Sequence, residues 1–377
     1  MALSRIDTTN MIEDVPQSKL DNNINFRNII INGDMSIAQR GTSASSISSG
    51  AGFDTVDRFS RYVNSGGTWT ISQSTTVPSG QGFAKSLKFD CTTANGSLSA
   101  DSELSFFTKF EGQNLQYLKK GTSSAESLTL SFWVRSNKTG TYTCELYDND
   151  NTRAVGKTYT ISSADTWEKK TITFTGDTTG VFGNDNGASL NCTFFLVAGT
   201  NLTSGTFSNG TWESATTANR VSSSQVNLAD STSNEFYITG IQLEAGQTAS
   251  EFEFLPVDCN LQRCLRYYYL HASGLGQAFG TGFYYTGSYV IQASSYPVFM
   301  RATPSLEQVT GTGYYTIFRN SSSDAFDDFI LSVSGSQRTN EKFFEIYNAS
   351  DMSGTAGQGG FFRTNNANSF LGFDAEL

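Results

Sequence analysis

The sequence predicts an all-β protein, in which an antiparallel β-sandwich is followed by a short connecting helix and a smaller C-terminal β domain. Apolar and polar residues alternate in many short runs, and turns rich in Gly, Asn and Asp separate these runs. No 12-residue amphipathic helix interrupts the first two thirds of the chain. The composition agrees, because a disordered chain is rich in charged residues and poor in aromatic ones. This chain has only 16% charged residues and as many as 13% aromatic residues.

The sandwich is assigned to residues 28–257. In "ESLTLSFWVRS" (126–136), Leu128 and Phe132 share one face of a strand, whereas Trp133 and Arg135 share the other. Three further runs predict strands of the same sandwich: "TYTCELYD" (141–148), "WEKKTITFTG" (167–176) and the doubly apolar "CTFFLVAG" (192–199).

One strand contains a change of parity. In "FYITGIQLEAG" (236–246), Phe236 and Ile238 face one way, but Ile241 and Leu243 have the opposite parity. Because Gly240 stands at the change, we predict a β-bulge there that restores the inward direction of the later side chains.

A short amphipathic helix is predicted over residues 258–270, joining the two domains. The run "QRCLRYYYL" (262–270) contributes to a stripe with helical spacing. Its members are the candidates for packing between domains or between copies of the chain: Leu261, Cys264, Leu265 and Tyr268.

Residues 271–377 resume the β pattern and are rich in aromatic residues. This domain is the candidate for receptor contact, and its small core predicts that oligomerisation helps to stabilise it. The candidate exposed rings are Tyr284, Tyr285, Tyr314 and Tyr315.

Charge and hydropathy exclude two classes of partner. The net charge is −10 and no basic stripe occurs, so neither nucleic acid nor an anionic membrane surface is expected as a partner. No run approaches the ~20 apolar residues of a membrane helix, and the first residues lack the apolar core of a signal peptide. We therefore expect no membrane insertion, and synthesis in the cytoplasm.

The sequence offers little for catalysis or metal binding. His271 is the single histidine, and no nucleophile motif accompanies it, so the chain is predicted not to be an enzyme. The acidic runs 148–150 and 184–186 could offer oxygen ligands to calcium, but they lack the remaining features of a calcium loop and polar turns explain them better. No cofactor is predicted, and the five cysteines are expected to be free thiols.

Trp133 and Arg135 form the candidate ligand-binding pair of the sandwich. An aromatic ring beside a guanidinium on an outward sheet face can stack on a sugar ring and bond its hydroxyl groups. The competing interpretation is that another layer or another subunit covers this face.

Several ordered motifs resemble one protein family. "NIIINGDMSIAQRGTS" (28–43), "TVDRF" (55–59) and "LTLSFWVRSNKTGTY" (128–142) resemble a module of bacteriophage tail-fibre and receptor-binding proteins. "ITGIQLEAGQTASEFEFLPVDCNLQRCLRYY" (238–268) looks like the end of that module and its joining helix. "MRATPS" (300–305) and the final "DAEL" (374–377) look like parts of the family's tail domain.

The resemblance implies a carbohydrate-binding-like jelly roll in a homotrimeric virion fibre, with residues 1–27 as an arm that binds other virion proteins. It further implies a tail or capsid appendage that recognises a glycan or protein of the host surface during adsorption. Two alternatives stay open. One is a purely structural fibre or capsid decoration protein, and the other, ranked last, is a polysaccharide depolymerase.

Overall fold

The computed structural model describes residues 26–333 and 338–377. Residues 1–25, most of the predicted virion-binding arm, lie outside the described residues. The chain forms two compact units. The sandwich unit contains the described residues up to Ser36 together with Thr42–Leu255, and the C-terminal unit contains Ile37–Gly41 together with Pro256–Leu377.

The described residues of the sandwich unit form thirteen strands. They are β1 (Ser43–Ile47), β2 (Gly50–Gly52), β3 (Ser60–Asn64), β4 (Thr68–Ser74), β5 (Ser86–Thr93), β6 (Glu103–Glu111), β7 (Leu128–Ser136), β8 (Gly140–Asp148), β9 (Arg153–Ile161), β10 (Glu168–Phe174), β11 (Ala188–Ala198), β12 (Glu213–Ser214) and β13 (Glu235–Ala245). A one-turn helix, α1 (Thr200–Thr203), follows β11.

These strands form two antiparallel sheets, which confirms the predicted sandwich and its jelly-roll character. The first sheet has the order β1-β4-β5-β13-β7-β10, and the second has the order β12-β9-β8-β11-β6-β3-β2. Neighbours in each sheet are mostly distant in sequence, as β13 between β5 and β7 illustrates, so the order of strands depends on long-range pairing.

The core lies between the two sheets and is rich in phenylalanine. Phe106 of the second sheet stacks on Phe194 with 4.9 Å between ring centroids, and it lies 5.2 Å from Phe89 of the first sheet. Phe132 meets Phe194 edge-on at 5.2 Å. The residues predicted to face inward from β7, including Leu130 and Phe132, are buried as expected.

The predicted bulge in β13 is confirmed. The register between β13 and β7 shifts between Thr239 and Gln242, and Gly240 adopts a positive φ of 63°. A Cβ atom at Gly240 would also lie 2.5 Å from the Phe83 ring. Both the conformation and the space therefore require glycine here.

The described residues of the C-terminal unit form one helix and ten strands. They are α2 (Val257–Leu265), β14 (Tyr268–Ser273), β15 (Ala278–Thr286), β16 (Tyr289–Ser295), β17 (Ser305–Gln308), β18 (Tyr315–Arg319), β19 (Ser322–Phe326), β20 (Ile330–Leu331), β21 (Phe343–Asn348), β22 (Gly359–Thr364) and β23 (Phe370–Asp374). The strands form a three-stranded sheet, β14-β23-β17, and a seven-stranded sheet, β19-β18-β22-β15-β16-β21-β20.

The predicted helix over residues 258–270 is too long. Helix α2 ends at Leu265, and Tyr268 begins strand β14, where it pairs with Asp374 of β23. Tyr268 therefore does not share a helical stripe with Leu261 and Cys264. Cys264 and Tyr268 are fully buried within the single chain, whereas Leu261 and Leu265 are partly exposed.

The single histidine lies in an aromatic cage of the C-terminal unit. The His271 ring lies 5.1 Å from the Phe344 ring and 5.3 Å from the Phe279 ring, and its Nδ1 is 2.9 Å from the Tyr269 hydroxyl. Burial lowers the pKa of His271 from 6.5 to about 4.

No helix in the described part of the chain is long and apolar enough to cross a membrane.

We expect the stability of the C-terminal unit to fall as the pH drops from 7 to 5. The unfolded chain takes up a proton at His271 near pH 6.5, whereas the folded chain resists protonation until about pH 4. The contribution of neutral His271 to the free energy of unfolding is therefore fully present above pH 6.5, and it is lost progressively as the pH falls toward 4. The expected loss between pH 7 and pH 5 is about 2 kcal/mol, measured by urea unfolding at both values.

The matched variant is His271→Phe, which keeps an aromatic ring in the cage and cannot titrate. The difference in unfolding free energy between wild type and variant isolates the histidine from the carboxylates that also titrate near pH 5. An identical pH dependence in the two proteins would contradict the prediction.

Candidate functional site

The outward face of the first sheet carries the predicted pair Trp133 and Arg135, and both side chains are partly exposed. Arg135 donates hydrogen bonds to the Asp165 carbonyl and carboxylate oxygens, both at 2.9 Å. Its guanidinium carbon lies 5.1 Å from the ring centroid of Tyr237, which is the cross-strand neighbour of Arg135 on β13. Trp133 and Arg135 therefore lie on the same outward face of β7, as strand parity predicts. The structure adds Tyr237 to this face.

A closed network of charges surrounds Tyr237. Its hydroxyl donates to Glu235 Oε2 at 2.7 Å, Lys88 Nζ binds Glu235 Oε1 at 2.6 Å, and Lys88 also lies 5.5 Å from the Tyr237 ring centroid. Trp167 meets the same ring edge-on at 6.3 Å. Burial, followed by the hydrogen bond to Glu235, raises the pKa of Tyr237. The polar groups of this face satisfy one another, so few of them are free to select a ligand.

Two of the four candidate tyrosines of the C-terminal unit are not exposed, which corrects the prediction. Tyr284 and Tyr315 are fully buried, and the Tyr315 hydroxyl donates to the Phe370 carbonyl at 2.7 Å. Tyr285 is 65% exposed and Tyr314 is partly exposed. Adjacent residues of a strand point to opposite faces, and one face of β15 packs on the core, so Tyr284 is buried while Tyr285 is exposed.

The outward face of the second sheet brings together aromatic rings and polar groups in neighbouring strands. Asn191 of β11 has Tyr147 of β8 as its cross-strand neighbour on one side. Phe107 of β6 and Tyr62 of β3 continue the face across the sheet. All four side chains are partly exposed. Together with Arg220 they are named the open sheet face.

Arg220 reaches this face from the segment between β12 and β13. Its Nε lies 2.9 Å and 3.2 Å from the two carboxylate oxygens of Glu145, and its Nη2 also binds this carboxylate. The Glu145 side chain is fully buried, whereas that of Arg220 is 26% exposed. Although burial lowers the pKa of Arg220, the hydrogen bond and the charge of Glu145 raise it above its usual range.

The guanidinium of Arg220 is held in one orientation. Its central carbon lies 5.3 Å from the Tyr147 ring centroid and 5.5 Å from that of Phe195. Two of its nitrogens bind Glu145, and Nη1 has no hydrogen-bond partner among the described residues. Arg220 therefore offers a fixed positive donor beside an aromatic ring.

A cleft of about 230 Å³ opens at this position, lined by Tyr147, Asn191, Ala215, Thr217 and Arg220. The Asn191 amide is itself oriented, because its Oδ1 accepts a hydrogen bond of 2.9 Å from Asn149 Nδ2. An aromatic wall and a few oriented polar groups are the features of a small-ligand site.

Sequence reasoning missed this site, although part of the signal was present. In "TYTCELYD", the inward Tyr142 and Leu146 imply that Glu145 and Tyr147 face outward. No local pattern could place Arg220, because it lies in irregular chain 75 residues beyond Glu145.

Acidic residues of the two runs considered for calcium bind other groups of the protein. Asp148 Oδ2 lies 2.6 Å from Lys120 Nζ, and Asp185 Oδ1 accepts a hydrogen bond from the Gly187 amide. Within residues 26–333 and 338–377, no group of three or more His, Cys, Asp and Glu side chains is placed to hold a metal ion. All five cysteines lie in the part of the chain that the structure describes, and they form no disulfide there.

The sequence matches no protein-family model and no curated protein. Three solved structures illustrate its similarities in fold. The enzymatically active domain of tailspike protein 4 of bacteriophage CBA120 has a TM-score of 0.31 and 12% identity, and the match covers 58% of this chain and 21% of the tailspike chain. A family 16 carbohydrate-binding module has a TM-score of 0.24 and 16% identity, and the match covers 46% of this chain and 84% of that module.

A putative sugar-binding protein from Bacteroides thetaiotaomicron has a TM-score of 0.29 and 12% identity, and the match covers 58% of this chain and 99% of that protein. These similarities are distant, and the jelly-roll assignment rests on the sheet order described above.

Proposed function

We propose that this chain is a non-enzymatic, glycan-binding fibre protein of a bacteriophage virion, and that it contacts the host surface through the open sheet face. The observation that carries the proposal is the Arg220 guanidinium, clamped by buried Glu145 beside the Tyr147 ring. A sugar can stack its apolar face on the ring, while the guanidinium and the Asn191 amide bond its hydroxyl groups.

The ordered motifs shared with phage tail-fibre proteins support the virion part of the proposal. In this proposal the chain is made in the host cytoplasm and assembles as a homotrimer on the tail or capsid, with residues 1–27 bound to other virion proteins. Catalysis is not included, because the buried carboxylate of the site, Glu145, is committed to Arg220 and is not free to act as an acid.

Tyr147→Ala is expected to weaken glycan binding at least about tenfold, roughly 1.4 kcal/mol, because it removes the stacking surface. The measurement is a titration of the full-length protein with a glycan selected on an array of bacterial surface polysaccharides. Trp133→Ala, a matched aromatic truncation on the first sheet, is expected to leave the affinity unchanged.

The two variants separate the two faces. If Trp133→Ala abolished binding while Tyr147→Ala did not, the site would lie on the first sheet instead. If wild type bound none of the polysaccharides, and full-length protein did not adhere to host cells, the glycan-binding proposal would be wrong.

Exposed rings of the C-terminal unit favour a second candidate function, assembly with further protein chains. The outward face of its seven-stranded sheet exposes Phe283, Tyr285, Phe343 and Phe361. Rings at this density on one sheet face are typical of a protein interface. They support the homotrimer and equally support a purely structural fibre or decoration protein.

Light scattering of the full-length protein is expected to give the mass of three chains. The double variant Tyr285→Ser/Phe343→Ser is expected to shift that mass toward one chain, because it removes apolar area from the proposed interface. A monomeric wild type would exclude the trimer, and a trimer without glycan binding would favour the purely structural function.

A further inference from the structure

A buried lysine of the sandwich unit touches two carboxylates. Lys120 Nζ lies 2.6 Å from Asp148 Oδ2 and 3.1 Å from Asp177 Oδ2. It also donates hydrogen bonds to the carbonyl oxygens of Thr179 at 2.8 Å and Gly180 at 3.0 Å. The three charged side chains are only 5%, 0% and 3% exposed, so the amine and both acids meet inside the protein.

Aromatic rings and a second cation complete the surroundings. Lys120 Nζ lies 5.2 Å from the Phe182 ring centroid and 5.7 Å from that of Trp212, and these rings help to keep water away. Arg153 binds Asp177 through two hydrogen bonds, of 2.7 Å and 3.0 Å. The cluster therefore contains two positive and two negative charges, and no charge is left unbalanced.

The remaining oxygen of Asp148 faces two backbone donors. Asp148 Oδ1 accepts hydrogen bonds from the amides of Asp150 at 3.0 Å and Asn151 at 3.1 Å. Two amides that converge on one carbonyl-type oxygen stabilise negative charge when a nucleophile adds to the attached carbon.

From this geometry we propose that Lys120 and Asp148 condense into an intramolecular amide bond, with Asp177 carrying the proton. The inference is independent of glycan binding and of the open sheet face. It requires an amine in contact with a carboxyl group, a second carboxylate in reach of the same nitrogen, and donors for the oxyanion.

The reaction balances without an oxidant or a cofactor. A proton passes from the ammonium to Asp148 across the 2.6 Å contact, giving an amine and a carboxylic acid. The amine nitrogen then attacks Cγ of Asp148, and the oxyanion forms on Oδ1. Asp177 takes a proton from the nitrogen and returns it to the Oδ2 hydroxyl, the Cγ–Oδ2 bond breaks, and one water molecule leaves.

Burial of the two reacting groups makes the condensation feasible, whereas the same groups in free solution lack this advantage. The two reacting groups are held in contact, so no translational freedom is lost on reaction. The released water passes to bulk solvent, and the rings limit its return. The bond would tie the segment before β7 to the end of β8, giving a covalent cross-link to a chain whose five cysteines form no disulfide.

The test is the intact mass of the denatured full-length protein, followed by tryptic mapping. The expected mass is lower than the sequence mass by one water molecule. Trypsin is expected to release residues 120–135 joined to residues 139–153, because an acylated Lys120 resists cleavage. A wild-type protein at its full sequence mass, with residues 121–135 and 139–153 recovered separately after prolonged incubation at neutral pH, would overturn the inference.

Two variants test the assigned roles. Asp177→Asn keeps the shape of the side chain but cannot carry the proton, so this variant is expected to retain the full sequence mass. Asp148→Asn presents an amide to the same amine, so its expected loss is one ammonia instead of one water. A mass deficit of one water in Asp148→Asn would contradict the assignment of Asp148 as the partner.

Discussion

Replacing Glu145 with alanine is expected to lower the free energy of unfolding of the sandwich unit by about 3 kcal/mol. The substitution removes a fully buried carboxylate that holds Arg220 through its Nε and Nη2. Because the remaining guanidinium is 26% exposed, water compensates part of its lost interactions, which places the effect at the lower end of the usual range for a broken buried pair. The measurement is urea unfolding at pH 7.

Two further variants give this prediction its controls. Glu126→Ala removes the acid of an exposed ion pair with Lys119 in the same unit and is expected to cost less than about 1 kcal/mol. The double variant Glu145→Ala/Arg220→Ala is expected to recover part of the loss, because no charge is then left buried alone. Equal effects of Glu145→Ala and Glu126→Ala would show that the buried pair contributes no more than a surface pair.

The sheets of the sandwich unit were predictable because their signal is local. One face of β7 is apolar at every second residue, and burial of that face follows directly from the alternation. The bulge at Gly240 was predictable for the same reason, since a change of parity within one strand requires an extra residue. Neither inference needed the identity of the neighbouring strands.

Features that depend on distant partners could not be predicted. The spacing of Tyr268 from Leu261 suits a helix. Tyr268 instead pairs with Asp374, more than a hundred residues away, and this pairing places it in strand β14. In the open sheet face, strand parity indicates the outward direction of Tyr147, whereas the position of Arg220 depends on how irregular chain folds back over the sheet.

Four of the six motifs that resemble phage tail-fibre proteins contribute residues to one cluster of the C-terminal unit. The Arg40 guanidinium lies 2.7 Å from Asp374 and 3.5 Å from Glu376, and its carbon stacks 3.5 Å from the Tyr268 ring centroid. Arg301 donates to the carbonyl oxygens of Ala375 at 2.7 Å and Glu376 at 2.9 Å. Four separate motifs thus supply one cluster: "NIIINGDMSIAQRGTS", "QRCLRYY", "MRATPS" and "DAEL".

This convergence gives the motifs a structural explanation. Residues 37–41 belong to the C-terminal unit although the chain on either side of them belongs to the sandwich unit. Within the C-terminal unit, Gln39 Nε2 donates to the Tyr268 carbonyl at 2.8 Å and Arg40 pairs with the last strand and the residues after it. Within this unit, residues of the four motifs therefore hold residues 37–41 to the end of the chain.

Arg40→Met is accordingly expected to destabilise the C-terminal unit by about 3–5 kcal/mol and to lower its melting temperature by roughly 10–20 °C. The Arg40 side chain is only 6% exposed, and the Glu376 side chain only 4%, so the substitution removes a buried cation that pairs with Glu376 and Asp374. Methionine keeps most of the length of the side chain, so the loss measures charge more than volume. The measurement is scanning calorimetry of the full-length protein at pH 7.

Arg338→Met is the matched control, because it breaks an exposed Arg–Glu pair, with Glu345, in the same unit. It is expected to change the melting temperature only slightly. If Arg40→Met proved as mild as this control, Arg40 would not be the anchor of residues 37–41.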